Sequence, residues 1–249
     1  MRRLACNVLL ASMLLLAISA SANAEGGASI AAAPALVVGQ QEFGTLATPD
    51  AHCVYASWWL LPVIAGDTIQ IDWEVHNEGV HLHIWPPGTN EFNFETRESL
   101  KLVPNTNLKT ESTFQATQTG DMPMRFAVAE EQCPTVGVPG PYSFTAYVTH
   151  ALNIALPHVA TLHSKGTLTV AIHNPEGGVI DDPAVQVEVQ IKGHWGWQAI
   201  GLASVADSAA IVHFKVPSRL RHQLVTLRAL AHGTGYKSAS SAHVKVRTV

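Results

Sequence analysis

In Thr68-Ile69-Gln70-Ile71-Asp72-Trp73-Glu74-Val75-His76, apolar residues at odd positions alternate with polar residues at even positions. A period of two is typical of a β-strand that buries one face and exposes the other. Val80-His81-Leu82-His83-Ile84-Trp85 repeats the pattern a few residues later. The two stretches predict consecutive strands of a β-sandwich, in which each sheet packs one face against a second sheet.

Similar short strands are predicted on both sides of this pair. In the first half they lie around Phe114 and Ala116, at Met124 to Val128 and at Tyr142 to Val148, with a polar, turn-rich excursion from Pro86 to Asn107. A short apolar linker follows at Ala151 to Pro157. Beyond it, further strands are predicted at Thr167 to His173, Val185 to Ile191, Trp197 to Ala203, Ala209 to Val216, Leu224 to Ala231 and Ala242 to Val246. About seven short strands in this length are typical of an immunoglobulin-like sandwich.

The charge of the chain changes at the same linker. Residues 25–154 carry fourteen acidic and four basic side chains, a net charge of −10, whereas residues 155–249 carry nine basic and five acidic ones, a net charge of +4. We expect two domains, because a shift of composition of this kind marks a domain boundary. The basic residues are not clustered along the sequence in the way that indicates nucleic acid binding.

The first residues have the pattern of a signal peptide. Arg2 and Arg3 precede an apolar run from Leu4 to Ala20, and Ala22-Asn23-Ala24 is the small-x-small site that signal peptidase cuts. Because the run is shorter than the roughly 20 residues of a transmembrane helix, we predict cleavage after residue 24 and no membrane span afterwards. The mature chain is therefore expected to be secreted, periplasmic or located at the cell surface.

Residues 25–37, rich in Gly, Ala and Ser, are expected to be a flexible lead-in. The acidic domain is expected at residues 38–152 and the second domain at residues 153–249. After cleavage only Cys53 and Cys133 remain, both in the acidic domain. Two such cysteines are expected to form a disulfide in an oxidising compartment, with two buried thiols or a soft-metal site as the alternatives.

The second domain contains a set of short motifs: Trp197-Gln198-Ala199-Ile200-Gly201, Asp207, Ile211-Val212-His213-Phe214, Val225-Thr226-Leu227-Arg228-Ala229, Gly235-Tyr236 and Ser241-Ala242-His243-Val244-Lys245-Val246. In these motifs it resembles the bacterial immunoglobulin-like domains of surface and secreted proteins. The chain departs from the usual form at Ser208, where such domains often carry Gly in a hairpin turn.

The acidic domain contains the motifs Ala65-Gly66-Asp67-Thr68-Ile69, Trp85-Pro86-Pro87-Gly88-Thr89 and Gly140-Pro141-Tyr142-Ser143-Phe144. In these motifs it resembles prepeptidase C-terminal-type and related jelly-roll modules. The two resemblances imply an all-β protein of two tandem β-sandwich domains, jelly-roll-like and then immunoglobulin-like. Modules of both kinds usually accompany other activities and do not catalyse.

One set of polar residues suggests a metal site. If Glu78-Gly79 formed a two-residue hairpin loop, Glu74, His76, His81 and His83 would share one face of the hairpin. Imidazoles with a carboxylate suit zinc or copper, and a His-x-His pair on a strand points both rings the same way. The alternative interpretation is an ordinary solvent-exposed hairpin face, since the same alternation places these residues in water.

Aromatic and acidic residues allow two further interpretations. Trp58-Trp59, and Trp195 with Trp197, are candidates for stacking on sugars, although adjacent tryptophans on a strand point to opposite faces and one of Trp58 and Trp59 is expected in the core. Asp67, Asp72 and Glu130-Glu131 supply oxygen atoms that suit calcium, but no Asp-x-Asp-x-Asp loop is present, so solvated surface charge is the simpler interpretation.

The sequence therefore favours an exported, non-enzymatic binding or structural module of the cell surface or periplasm. Its partner is expected to be a protein or a glycan at the cell surface. The first alternative is a zinc- or copper-binding β-sandwich protein, possibly an enzyme, that uses the Glu74, His76, His81 and His83 set. The second is a carbohydrate-binding module in the acidic domain. No nucleophile elbow or phosphate-binding glycine motif points to any other activity.

Overall fold

The computed structural model describes residues 26–46, 56–76, 79–103, 109–128 and 140–249 of the chain. These residues form two β-sandwiches and a single 3-10 turn at Ser218–Leu220. The strands of the first sandwich are β1 (Gln41–Thr45), β2 (Ala56–Val63), β3 (Thr68–Val75), β4 (Val80–Ile84), β5 (Leu100–Leu102), β6 (Lys109–Gln115), β7 (Gly120–Val128) and β8 (Pro141–Thr149).

The first sandwich has the strand order of a jelly roll. One sheet has the order β1-β8-β3-β6 and the other the order β2-β7-β4-β5, with antiparallel pairing throughout. Eight strands arranged in this way form the two interlocked Greek keys of that fold. The odd positions of β3 point inward as the alternation predicts, with Ile69 and Ile71 fully buried against the aromatic rings of Trp59, Phe126 and Phe144.

The second sandwich is immunoglobulin-like. Its strands are β9 (Asn153–Ala155), β10 (Thr161–Leu162), β11 (Lys165–His173), β12 (Gln186–Gly193), β13 (Gly196–Ser204), β14 (Ala209–Lys215), β15 (Leu224–Gly233), β16 (Tyr236–Ser240) and β17 (Val244–Thr248). A sheet of order β14-β11-β9 faces a sheet of order β10-β17-β15-β12-β13, and β16 pairs with β15. The two packed sheets confirm the predicted sandwich of short strands.

The turn at Asp207 and Ser208 is a two-residue hairpin loop although it contains no glycine. Both residues have positive φ angles, of 48° and 60°. The backbones of Ala206 and Ala209 close the loop with two hydrogen bonds of 2.9 Å. The Ser208 hydroxyl accepts a hydrogen bond of 2.9 Å from the buried backbone N–H of Ile180. This bond explains why serine occupies a position where glycine has less strain.

The described part of the expected flexible lead-in, residues 26–37, packs against the first sandwich. The backbone of Gly27 makes two hydrogen bonds to Trp58, of 2.8 and 2.9 Å, and the N–H of Leu36 donates to the carbonyl of Leu60. Ile30 is buried beside Trp58 and Trp85. The composition of this segment favours a loop, but its backbone extends the edge of the β2 sheet and Ile30 and Leu36 are buried.

The expected disulfide between Cys53 and Cys133 lies outside the described residues, as do the signal peptide and Glu130-Glu131. In the described part of the chain, no helix is both long enough and apolar enough to cross a membrane.

Candidate binding faces

The structure separates the four residues of the predicted metal site. β3 pairs with β6 and β8, whereas β4 pairs with β5 and β7. The predicted hairpin, with Glu74 opposite His83 and His76 opposite His81, is therefore not formed. Between Val75 and Val80 the chain passes from one sheet to the other instead of turning back beside itself.

This passage places the polar residues of the two strands on opposite surfaces. Both strands bury their apolar positions in the same core, so the outward side chains of β3 and β4 point away from each other. Packed sheets lie about 10 Å apart, which adds to the separation of the side chains. Across the described ranges, no three His, Cys, Asp or Glu side chains are grouped as one metal ion requires. Zinc or copper binding therefore stays a prediction from the sequence. The described structure does not bring Glu74, His76, His81 and His83 together in one site.

On the β3 surface, Glu74 and His76 have other neighbours. The carboxylate of Glu74 lies 3.0 Å from the ammonium group of Lys109, and both side chains are largely exposed. His76 lies just beyond the end of β3, where its backbone N–H donates to the carbonyl of Pro141 at 3.2 Å.

On the β4 surface, His81 and His83 lie beside cations. Burial and the charge of Lys101 lower the pKa of His81. Burial, and then the charges of Arg125, Lys101 and His81, lower the pKa of His83 to about 4. The His83 ring stacks on Trp85 with its centroid 5.6 Å away, and its Nδ1 lies 3.2 Å from the Ser99 hydroxyl. Both imidazoles are therefore neutral at pH 7.

Arg125 lies inside an aromatic cluster on the same surface. Its guanidinium carbon is 5.4 Å from the ring centroid of Trp58, 5.4 Å from that of Trp85 and 5.9 Å from that of Phe94. These distances are those of cation–π contacts. Trp58 is only 5% exposed and Trp59 lies in the main core, which confirms that the two rings point to opposite faces. The pair therefore presents no open platform to a sugar.

The other tryptophan pair lies on the second sandwich. Trp195 is at the tip of the β12–β13 hairpin and is 84% exposed. Trp197 lies on the sheet itself, with the guanidinium carbon of Arg228 4.2 Å from its ring centroid and the His243 ring 5.1 Å away. Trp197 therefore lies against cationic side chains on the edge strand of this sheet and is not a free stacking platform.

We call this surface the basic face and define it by the outward side chains of Lys192, Arg228, Lys245 and Arg247. The strand register places Trp197, Lys192, Thr226 and Lys245 in one row across β13, β12, β15 and β17. Arg228 lies two residues along β15 from Thr226, and Arg247 pairs with Leu224. Residues paired in register share a face of the sheet, so the four cations point the same way.

Hydrogen bonds fix part of the basic face. The Nε of Arg228 donates to the side-chain carbonyl of Gln190 at 2.8 Å, and Gln190 in turn donates to the carboxylate of Glu188. Glu188 is the acidic residue of this face, one row away from Arg228 and two rows away from Lys192. Lys192, Lys245 and Arg247 are exposed, and Leu224 between them is 66% exposed. The sequence does not reveal this cluster because its members are far apart along the chain.

The first sandwich carries a surface of opposite charge. We call it the acidic face and define it by Asp72, Glu74 and Glu111 on the outer side of the β1-β8-β3-β6 sheet. Together with Gln41, Ser143 and Thr145, these residues line a shallow groove of about 390 Å³. Phe43 and Tyr147 are on the same side of the sheet and are 44% and 43% exposed.

Two carboxylates of the acidic face oppose each other. Asp72 on β3 and Glu111 on β6 are direct partners in the antiparallel register. Like charges in that relation destabilise a sheet. Lys109 lies one pair further along, opposite Glu74. A positively charged group over this row would relieve the repulsion between Asp72 and Glu111.

No protein-family model and no curated protein sequence matches the chain. Among solved structures, it is similar to PliG, a periplasmic inhibitor of g-type lysozyme from Aeromonas hydrophila, at 12% identity over 51% of this chain and 100% of that chain, with a TM-score of 0.37. It is also similar to the adhesin domain of Epf from Streptococcus pyogenes, at 9% identity over 78% of this chain and 72% of that chain, with a TM-score of 0.42. At these values the likenesses carry no argument about function, and the fold is established here by its own strand order.

Proposed function

We propose that this chain is an exported, non-enzymatic binding or structural module that engages acidic groups of a surface component through the basic face. The observation that carries the proposal is the gathering of Lys192, Arg228, Lys245 and Arg247 on one side of one sheet, beside Trp197. The predicted signal peptide supports export, and the secreted, periplasmic or cell-surface location follows from it.

The arrangement suits binding for two physical reasons. The sheet holds the cations at fixed positions, with Lys192 and Lys245 two strands apart at about 5 Å per strand, so an acidic partner meets several charges at once. Guanidinium groups and aromatic rings are also the groups that most often dominate binding energy at interfaces. A flat face of this kind lacks an enclosed site for a reaction, which favours binding over catalysis.

The metal-dependent alternative has less support. Its four residues are divided between two outer surfaces, and the pKa of His83 is lowered first by burial and then by Arg125 and Lys101 nearby. Cations close to an imidazole also repel a metal ion, because they raise the electrostatic cost of bringing it in.

Binding to dextran sulfate, with uncharged dextran as the reference polymer, tests the proposal. We expect the full chain to bind dextran sulfate only, and the double variant Lys192→Glu with Lys245→Glu to bind it at least about tenfold more weakly. The matched control is Lys165→Glu with Lys215→Glu, an equal change of charge on exposed lysines of the opposite sheet. An equal loss in both double variants would mean that net charge, and not the basic face, determines binding.

A further inference from the structure

We propose that the acidic partner of the basic face is the acidic face of a second copy of this chain, so that copies associate head to tail. This inference rests on the proposed binding role of the basic face and names its partner. It follows from the presence, on one chain, of two outer sheet faces with opposite charge.

The charges of the two faces are complementary. The acidic face carries three carboxylates and Lys109, and the basic face carries four cations and Glu188. A lysine or arginine placed over Asp72 and Glu111 would reduce the like-charge repulsion between those paired residues. Complementary charge fixes the register of two surfaces and speeds their encounter.

Exposed apolar groups accompany the charges on both faces. Phe43 and Tyr147 lie on the acidic face, and Leu224 lies on the basic face with Trp195 exposed at the nearby hairpin tip. Burying such groups supplies the affinity that exposed ion pairs alone do not, since each exposed pair contributes little. Aromatic residues and arginine are enriched at protein interfaces, whereas isolated surface charge is not.

The size of the faces predicts a weak contact. Four strands at about 4.8 Å spacing and about six residues at 3.3 Å give a patch of roughly 400 Å² on each copy. The total of roughly 800 Å² lies below the roughly 1,200 Å² of stable specific interfaces, in the range where association is transient and depends on concentration. We therefore expect self-association at high protein concentration and monomers at low concentration.

The two faces lie on different sandwiches, so the contact is heterologous. A heterologous contact leaves one unused face at each end of a dimer. Further copies can therefore add until the assembly closes into a ring or no free monomer remains. The expected products are therefore a series of oligomers, and not a single closed dimer.

Sedimentation velocity of the full chain tests this inference. We expect the weight-average mass to rise with concentration at about 0.02 M NaCl and to return to that of the monomer at about 0.5 M NaCl, where screening is strong. Lys192→Glu with Lys245→Glu, and separately Asp72→Lys with Glu111→Lys, are each expected to abolish the rise. Lys165→Glu with Lys215→Glu, and Glu95→Lys with Glu98→Lys, are the controls on exposed residues elsewhere.

Mixing the two face variants provides the sharper experiment. Each variant keeps one intact face, and the two altered faces are again opposite in charge, so the mixture is expected to regain the association that each variant alone has lost. Unchanged association in either face variant, or failure of the mixture to associate when the unmodified chain does, would overturn the inference.

The outcome for dextran sulfate separates this inference from the proposed function. If the chain binds dextran sulfate through the basic face but stays monomeric at every protein and salt concentration, the proposed function stands. The inference that a second copy is the partner is then wrong. If the chain neither binds the polymer nor self-associates, both the proposed function and the further inference are wrong.

Discussion

The Nδ1 atom of His150 lies 3.0 Å from the Oδ2 atom of Asp67, and this pair connects the end of β8 to the turn before β3. The backbone of His150 bonds at the same time to the second sandwich. Its N–H donates to the carbonyl of Gly235 at 2.8 Å, and its carbonyl accepts from the N–H of Lys237 at 2.8 Å. His150 therefore links both sandwiches at the place where they meet.

The His150–Asp67 pair predicts a pH-dependent contribution to stability. The hydrogen bond to Asp67 raises the pKa of His150 above its ordinary value of 6.5. Its stabilising effect is then complete below about pH 6.5 and is lost as the pH rises through the raised pKa. We expect His150→Gln to lower the melting temperature more at about pH 5.5 than at about pH 8.5. His163→Gln, on an exposed histidine, is the control. Equal losses at the two pH values would contradict the assigned pair.

His83 predicts a pH dependence of the opposite sign. Because burial, Arg125 and Lys101 lower its pKa to about 4, the unfolded chain binds a proton at higher pH than the folded one does. Stability should therefore fall as the pH decreases from about 6.5 to about 4. We expect His83→Gln to reduce this slope, measured as the free energy of unfolding in urea at several pH values. An imidazole resonance of His83 that titrates near pH 6.5 would be inconsistent with its environment.

Ser208 predicts an order of stability among its variants. Glycine at this position relieves a positive φ of 60° but removes the hydroxyl that accepts the buried N–H of Ile180. An unsatisfied buried donor costs about 1–3 kcal/mol, and glycine recovers about 1–2 kcal/mol at a left-handed position. We therefore expect Ser208→Ala to lower the free energy of unfolding by about 2 kcal/mol and Ser208→Gly to lower it by clearly less. Chemical denaturation measures both, and an alanine variant as stable as the natural chain would show that the hydrogen bond is unimportant.

The Cys53–Cys133 disulfide stays a prediction, and the neighbouring strands make it a reasonable one. Ala56 at the start of β2 pairs with Ala127 near the end of β7, so both cysteines are connected to the same end of the sheet. Each is separated from its strand by only a few residues, which span about 3.3 Å each when extended. We expect a linked peptide in a non-reducing digest of the exported protein. Two free thiols in that material would exclude the bridge.

Metal content is the remaining prediction. Since the structure divides Glu74 and His76 from His81 and His83, we expect the purified chain to contain less than about 0.1 equivalent of zinc or copper and to melt at the same temperature with and without chelator. Emission spectrometry and calorimetry measure the two quantities. A full equivalent of metal, lost in a variant with His81→Asn and His83→Asn, would restore the alternative function.

The sequence predicts the strands and their buried faces much better than it predicts which strands pair with each other. Alternation identifies β3 and β4 and assigns Ile71 and Leu82 to the core, as found. It contains no information on which strand pairs with which, so a sheet-to-sheet passage has the same pattern as a hairpin. In β2, Ser57, Trp58 and Trp59 are all buried, because Ile30 and Phe94 cover the outer side of that strand, and this hides its alternation.

The acidic and basic faces are harder to predict from the sequence than the strands are. Lys192, Arg228 and Lys245 belong to strands that the sequence predicts, yet only the register of those strands brings the residues together. The change of net charge between the two halves is the one sequence signal that agrees with the position of both faces.

The passage of the chain from β3 to β4 also affects how this protein can evolve. Outward residues of the two strands are close in sequence but occupy surfaces that look in opposite directions, so substitutions on one have little energetic coupling to substitutions on the other. A few adjacent codons therefore encode parts of two separate surfaces that selection can alter independently, while the shared interior keeps the scaffold constant.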